Sequence, residues 1–164
     1  MNIKEIVVGL KKKYKTSNPF EIAKSMNICV LYEDLGEIYG YYNNPLRMKQ
    51  IHINCNLPDH LQTLTCAHEL GHAVLHPKSN TPFLRKSTFI SVDKMENQAN
   101  KFATELIISD DILYEYKAFT MGQLSALLGY SEEIIKLKFK WTINTLKRDV
   151  TINYTIRRNT WKRN

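Results

Sequence analysis

Apolar residues recur at helical spacing over most of this chain and at alternating, strand-like spacing in a few short stretches. Helices are predicted over residues 3–14, 19–26, 60–75, 95–108, 109–116, 121–128 and from 132 onward. Strands are predicted over residues 28–32, 38–42, 50–54 and 150–156, with a further extended piece at 88–92. Turn-favouring residues at 43–45 join the second and third strands, which predicts a hairpin. This order predicts an α+β fold in which a small mixed or antiparallel sheet packs on helices.

The ends of several predicted elements carry residues that favour those ends. Asn18 is an N-cap candidate, and Pro19 follows it at the first helical position. Thr120 and Gln123 have the spacing of a capping box, and Gly129 stands where the helix they begin must end. A short helix, a glycine turn and a second helix together predict a helix-turn-helix-like segment towards the carboxyl end.

The charge of the chain is unevenly distributed. The formal net charge is +7, and a length of 164 residues suits one compact domain, or one domain with a small appendage. Residues 136–164 contain nine lysines or arginines and a single acidic residue, so they carry the excess charge. Such a basic end can contact DNA, starting with Lys136, Lys138 and Lys140 on the second helix of the pair, or can equally be a solvated tail.

Composition also indicates where the protein works. The chain has no run of about 18 apolar residues, and its amino end lacks the apolar region and cleavage site of a signal peptide. Its three cysteines lack C-x-x-C spacing, which suits a reducing compartment. We therefore expect a cytoplasmic protein with no membrane partner.

The most specific motif is His68-Glu69-Leu70-Gly71-His72, a complete H-E-x-x-H. On a helix of 3.6 residues per turn, His68 and His72 lie one turn apart and can bind one metal ion. Glu69 points in a neighbouring direction, where it can act as a general base on a water molecule at the metal. The motif therefore predicts a metal-dependent hydrolase with Glu69 as the catalytic residue.

A catalytic zinc ion usually needs a third protein ligand, and His76 and Glu96 are the leading candidates. His76 lies about 12 Å from His68 along a continuous helix, so we expect it to pack or hydrogen-bond beside the ligands. Glu96 shares a helix face with small residues that permit close approach to the motif helix, which favours it as the ligand. Asn100, one turn further on, is a candidate to hydrogen-bond a ligand, and Glu105 is half a turn out of phase.

Two stretches together carry a resemblance to a known family. They are the run of residues 64–76 and the pattern E-x-x-A-N-x-F-A that begins at Glu96. This combination resembles the ImmA/IrrE family of zinc metallo-endopeptidases, found in phages, mobile elements and bacterial regulators. The resemblance covers most of residues 16–140, and it implies a zincin-like fold with one zinc ion per chain on His68, His72 and Glu96.

The pattern of elements also predicts an organisation. Residues 1–118 would form the zincin-like domain and residues 119–147 a helix-turn-helix-like segment packed on it. Residues 148–164 would form a basic strand or tail, which the resemblance does not cover. The resemblance itself implies a substrate. The implied function is intracellular hydrolysis of a peptide bond in a regulatory protein, a helix-turn-helix repressor of a phage or mobile element.

Two further expectations concern binding. An extended substrate would pair with residues 50–54 if they form an edge strand, with Ile51, His52 and Ile53 in contact with it. The alternative function is a regulator in which the zinc site is structural and the basic carboxy-terminal helices bind DNA or a repressor. Retention of Glu69 argues against that alternative, because a structural site has no use for a base at this position.

Overall fold

A computed structural model describes residues 2–77 and 94–140 of the chain. Its helices are α1 (Ile3–Tyr14), α2 (Pro19–Ser25), α3 (Asp59–Leu75), α4 (Lys94–Ile107), α5 (Asp110–Glu115) and α6 (Met121–Leu128). Residues 132–140 are also helical and are called α7. The strands are β1 (Cys29–Glu33), β2 (Gly40–Asn43) and β3 (Gln50–Asn54). None of the helices in these ranges is long and apolar enough to cross a membrane.

The local chemistry expected at the element ends is present. The Asn18 side chain accepts hydrogen bonds from the backbone N–H groups of Phe20 and Glu21 at the start of α2. Thr120 and Gln123 form the predicted capping box, and Gly129 ends α6 with a φ of 74°. The strands predicted at residues 88–92 and 150–156 lie outside the described residues. Elsewhere the predicted elements are confirmed, with ends that differ by one or two residues.

The three strands form one mixed sheet in the order β1-β3-β2. Strand β1 pairs with β3 in parallel, and β2 pairs with β3 antiparallel, as the predicted hairpin requires. Helix α3 packs against β2 and β3, while α2 packs against β1. Ile51 and Ile53 of β3 and Tyr42 of β2 are fully buried. The predicted α+β, zincin-like fold with a small sheet packed on helices is therefore confirmed.

Helices α3 and α4 pack closely against each other, and this contact positions the candidate site. A Cβ atom placed on Gly71 of α3 would lie 3.2 Å from the Cα atom of Ala99 and 3.1 Å from the Cβ atom of Phe102 in α4. Ala99 and Ala103 of α4 are fully buried, as expected of a stripe of small side chains. A side chain at position 71 would require Phe102 or the backbone of Ala99 to move by a few tenths of an ångström, so glycine suits this close approach.

Helix α7 is fastened to the rest of the fold by both apolar and charged side chains. Ile134 and Ile135 are buried. Lys138 is only 1% exposed, and its ammonium group contacts Glu105 at 2.5 Å and Asp110 at 2.7 Å. The prediction that Lys138 contributes to a DNA-contacting face is therefore wrong, because its charge is buried against two carboxylates.

We predict that Gly129→Ala lowers the stability of the protein. Its left-handed conformation is unfavourable for a residue with a Cβ atom, at a cost of about 1 kcal/mol. In a chain of this size that corresponds to a melting temperature lower by about 2–4 °C, measurable by circular dichroism. Gly122→Ala in α6 is the matched control, since among the described residues a Cβ atom there meets only the Glu132 carboxylate at 3.4 Å. Equal melting temperatures for the two variants would contradict the role assigned to Gly129.

Candidate metal centre

Three buried side chains from two helices converge on one point. The Nε2 atoms of His68 and His72 in α3 are 3.1 Å apart. Each also lies 3.3 Å from an oxygen of Glu96 in α4, His68 from Oε2 and His72 from Oε1. One donor atom from each of the three residues can be chosen so that all lie within 4.8 Å of one another. The structure therefore brings together the three residues that the sequence nominated as metal ligands.

The spacing of these donors fits a small tetrahedral ion. Donors that each lie about 2.0–2.1 Å from a tetrahedral zinc ion are about 3.3 Å from one another. The separation of the two imidazole nitrogens matches that distance, and the Glu96 carboxylate faces both rings. Two histidines and one carboxylate form a ligand set typical of catalytic zinc, which leaves a fourth position open.

Glu96 is held in the ionised form that a metal ligand requires. Its side chain is 6% exposed. Burial alone would raise the pKa of Glu96, but hydrogen bonds from His68 and His72 and the charges of these rings bring that pKa down to about 2. The carboxylate is therefore negative at neutral pH and faces two imidazoles.

The two histidines differ in the hydrogen bonding of their Nδ1 atoms. The Nδ1 atom of His68 lies 2.8 Å from the Oδ1 atom of Asn100, one turn beyond Glu96 on α4. A ring N–H donated to that oxygen fixes the tautomer and leaves Nε2 facing the other donors. Among the described residues, none accepts or donates a hydrogen bond at the buried Nδ1 atom of His72.

Glu69 lies on α3 directly after His68 and is fully buried. Its place in the H-E-x-x-H motif, next to His68, is the position of the general base that the sequence predicts. Its neighbour Cys66 is also buried, and burial raises the pKa of that thiol, followed by the effect of the Glu69 charge. Cys66 is therefore a neutral core residue, and it is outside the donor group.

The other two candidates for the third ligand lie outside the donor group. Helix α3 ends at Leu75, and His76 follows as its C-cap, with its ring centroid 5.8 Å from that of His72. Glu105 is on the other side of α4, in contact with Lys138. His76 is thus a neighbour of the site, and its role beside the ligands stays a prediction.

The substrate-binding prediction for residues 50–54 is wrong in its premise. Strand β3 is the middle strand, so its main-chain groups pair with β1 and β2 and are not available to an added strand. Ile51 and Ile53 are completely buried in the core. His52 points to the opposite face, where it stacks on Tyr41 at 4.2 Å and its Nδ1 atom lies 3.0 Å from Glu33.

A contact that the sequence did not predict ties β2 to the end of the motif helix. The Tyr42 hydroxyl and the Asn44 side-chain amide each donate a hydrogen bond to the Pro77 carbonyl, both at 3.3 Å. Pro77 lies outside any helix or strand, so the hydrogen-bond partners of its carbonyl depend on tertiary packing. No local sequence pattern predicts this contact. The contact fixes the point at which the chain leaves α3.

Comparison with known proteins agrees with the geometry. The family model described as peptidase M78, IrrE N-terminal-like domain, matches residues 23–140. The chain is 47% identical over 139 residues to "Uncharacterized immunity region protein 2" of Bacillus phage phi105, a match that covers 83% of this chain and 88% of that protein. It is 37% identical over 139 residues to "Metallopeptidase ImmA" of Bacillus subtilis strain 168, with 84% and 77% covered. The chain therefore belongs to the ImmA/IrrE family of metallopeptidases, peptidase family M78.

Proposed function

We propose that this protein is a cytoplasmic, zinc-dependent endopeptidase that binds one zinc ion per chain on His68, His72 and Glu96. The observation that carries the proposal is the convergence of two imidazole nitrogens 3.1 Å apart with a carboxylate 3.3 Å from each. A His-His-Glu set with an open fourth position is typical of zinc peptidases rather than of structural zinc sites, which are closed by four protein ligands.

Each residue of the site has a separate task in peptide hydrolysis. A bound zinc ion would supply Lewis acidity to a water molecule and to the scissile carbonyl. Glu69 takes the proton from the attacking water and delivers it to the leaving amine. Asn100 accepts the ring proton at Nδ1 of His68, which leaves Nε2 as the atom that would bind zinc. The buried setting of Glu69 keeps bulk water from competing for that proton.

The proposed substrate is a regulatory protein, specifically a helix-turn-helix repressor of a phage or mobile element. Support comes from the relative in Bacillus phage phi105, whose name places it in an immunity region. The metallopeptidase relative of Bacillus subtilis supports the chemistry. Cleavage of a repressor would connect the two, because immunity in a phage is a matter of transcriptional control.

The alternative of a DNA-binding regulator finds little support in α7. Of its three lysines, Lys138 is buried, and Lys136 lies 2.9 Å from Glu132. Glu132 and Glu133 stand at the amino end of the helix, the end that a recognition helix presents to DNA. Acidic residues there repel phosphates, so α7 is a poor reading helix. The basic residues after position 140 lie outside the described part of the chain.

The first prediction of this proposal concerns Glu69→Gln. The variant should bind zinc as the wild type does but cleave a repressor at least about 100-fold more slowly, because the amide cannot accept a proton. Purified wild type and variant, each loaded with zinc, would be incubated with the helix-turn-helix repressor encoded nearest to the gene, and fragments would be measured by mass spectrometry. Equal cleavage by both proteins would remove Glu69 from the mechanism. An inactive wild type that binds DNA tightly, with affinity that falls as salt rises, would favour the regulator.

A second prediction concerns the metal itself. Glu96→Gln should weaken zinc binding by at least about 100-fold in competition with a chromophoric chelator, because a neutral amide is a poor zinc ligand. Glu115→Gln, at an exposed position of α5, is the control and should leave the affinity unchanged. Wild-type affinity should also fall as the pH is lowered from 7 to 5, since protons compete with a metal ion for its protein ligands. Glu96, with a pKa of about 2, stays ionised throughout that range. A Glu96→Gln variant that binds zinc normally would exclude Glu96 as a ligand.

A further inference from the structure

The carboxyl end of α4 is held by charged groups from two other helices, α7 and α1. Lys138 of α7 contacts the Glu105 carboxylate at 2.5 Å and the Asp110 carboxylate at 2.7 Å. Lys4 of α1 contacts Asp110 from the other side at 2.5 Å. Lys11, also of α1, donates a hydrogen bond to the main-chain carbonyl of Glu105 at 2.9 Å. Residue 105 is thus fixed through its side chain by α7 and through its backbone by α1.

The two central groups of this network are taken out of water. Lys138 and Glu105 have side chains that are 1% and 3% exposed. Burial lowers the pKa of Lys11, and the nearby charge of Lys138 lowers it further. Burial would raise the pKa of Asp110, but hydrogen bonds from Lys138 and Lys4 bring it below its ordinary value. A buried ion pair contributes little net stability compared with an apolar pair, but breaking it by removing one partner is costly. Such a pair is better suited to fix a geometry than to add stability.

This network lies at the opposite end of α4 from Glu96, so a change in the network can move that metal ligand. Helix α4 crosses α3 at the Gly71 contact, where Ala99 and Phe102 meet α3. Glu96 lies on one side of that crossing and Glu105 on the other, each about 7 Å from it along the helix axis. A rigid helix that turns about the crossing moves both ends by similar distances. A shift of 1 Å at Glu105 would therefore move Glu96 by about 1 Å, several times the tolerance of about 0.2 Å for a metal bond.

The segment that includes α7 also touches the other ligand helix. The ring of Tyr130, just before α7, meets the ring of His60 edge to face at 6.3 Å. His60 lies in the first turn of α3, which carries both histidine ligands and Glu69. The same segment thus contacts α3 near its start and α4 near its end.

We propose that Lys138 is a positioning residue: by pairing with Glu105 it sets the angle at which α4 crosses α3, and so places Glu96 opposite His68 and His72. This inference rests on the proposed zinc site for its functional consequence. It assigns α7 a part in building that site. Docking of α7 and assembly of the metal centre are then coupled.

The decisive experiment compares Lys138→Met with Lys136→Met by amide hydrogen exchange of the metal-free protein. Both changes remove one ammonium group from α7, but Lys136 is exposed and pairs only with its helix neighbour Glu132 among the described residues. Lys138→Met should speed exchange at residues 94–100, remote from the substitution, by at least about tenfold, whereas Lys136→Met should leave those amides at the wild-type rate. Faster exchange confined to residues 103–110 and 132–140 would overturn the inference, because it would show a local packing role only.

If the single variant does not fold, the double variant Glu105→Gln with Lys138→Met tests the same positioning role. It leaves no unpaired charge at the Glu105–Lys138 contact, and it should loosen residues 94–100 as much as Lys138→Met does, since both remove the same ion pair. Lys138→Arg, which retains the charge, should restore wild-type exchange there. A folded double variant with wild-type exchange at residues 94–100 would exclude positioning through Glu105.

Zinc affinity separates this inference from the proposed function. Lys138→Met should weaken zinc binding by about tenfold, the lower range for groups that orient metal ligands. Affinity within twofold of the wild type, together with a loosened α4, would show that α4 does not transmit the change to Glu96. Failure of the wild type to bind zinc would refute the proposed function, and hydrogen exchange in the metal-free protein would still decide the role of Lys138.

Discussion

The close crossing of α3 and α4 is the constraint on which the rest of the structure depends. The donors that face one another come from two helices that are separate in sequence, and they meet where Gly71 leaves room for the close approach of α4. The sheet supports α3 from one side, and α1 and α7 hold α4 by its far end. Secondary structure alone would supply a pair of histidines, whereas tertiary packing supplies the carboxylate.

Most of what could be predicted from the sequence is encoded locally. The caps at Asn18 and Thr120 and the stop at Gly129 depend on interactions within a few residues, and each is present. The H-E-x-x-H spacing fixes two donors on one helix face for the same reason. Helical phase is a local property, and it puts Glu96 and Glu105 on different sides of α4. Their nine-residue separation alone does not say which of the two faces α3.

The two wrong expectations both concern non-local arrangement. Alternation of apolar residues in β3 identifies a strand but does not say whether it lies at the edge or in the middle of the sheet, and the order β1-β3-β2 depends on long-range pairing. The sequence-based prediction places Lys138 on a solvent-exposed, basic helix face because lysine is usually exposed. Its spacing of three and four residues from Ile135 and Ile134 placed it on the buried side of α7, a pattern that composition alone obscures.

The partner of His68 has a consequence for the character of the site. Asn100 orients the imidazole with a neutral amide oxygen, whereas many metal-binding histidines are backed by a carboxylate that increases the electron donation of the ring. An uncharged partner aligns His68 without adding negative charge behind it. A metal ion held there would receive less electron density than one whose histidine is backed by a carboxylate, so it would be the stronger electrophile and would be held less firmly.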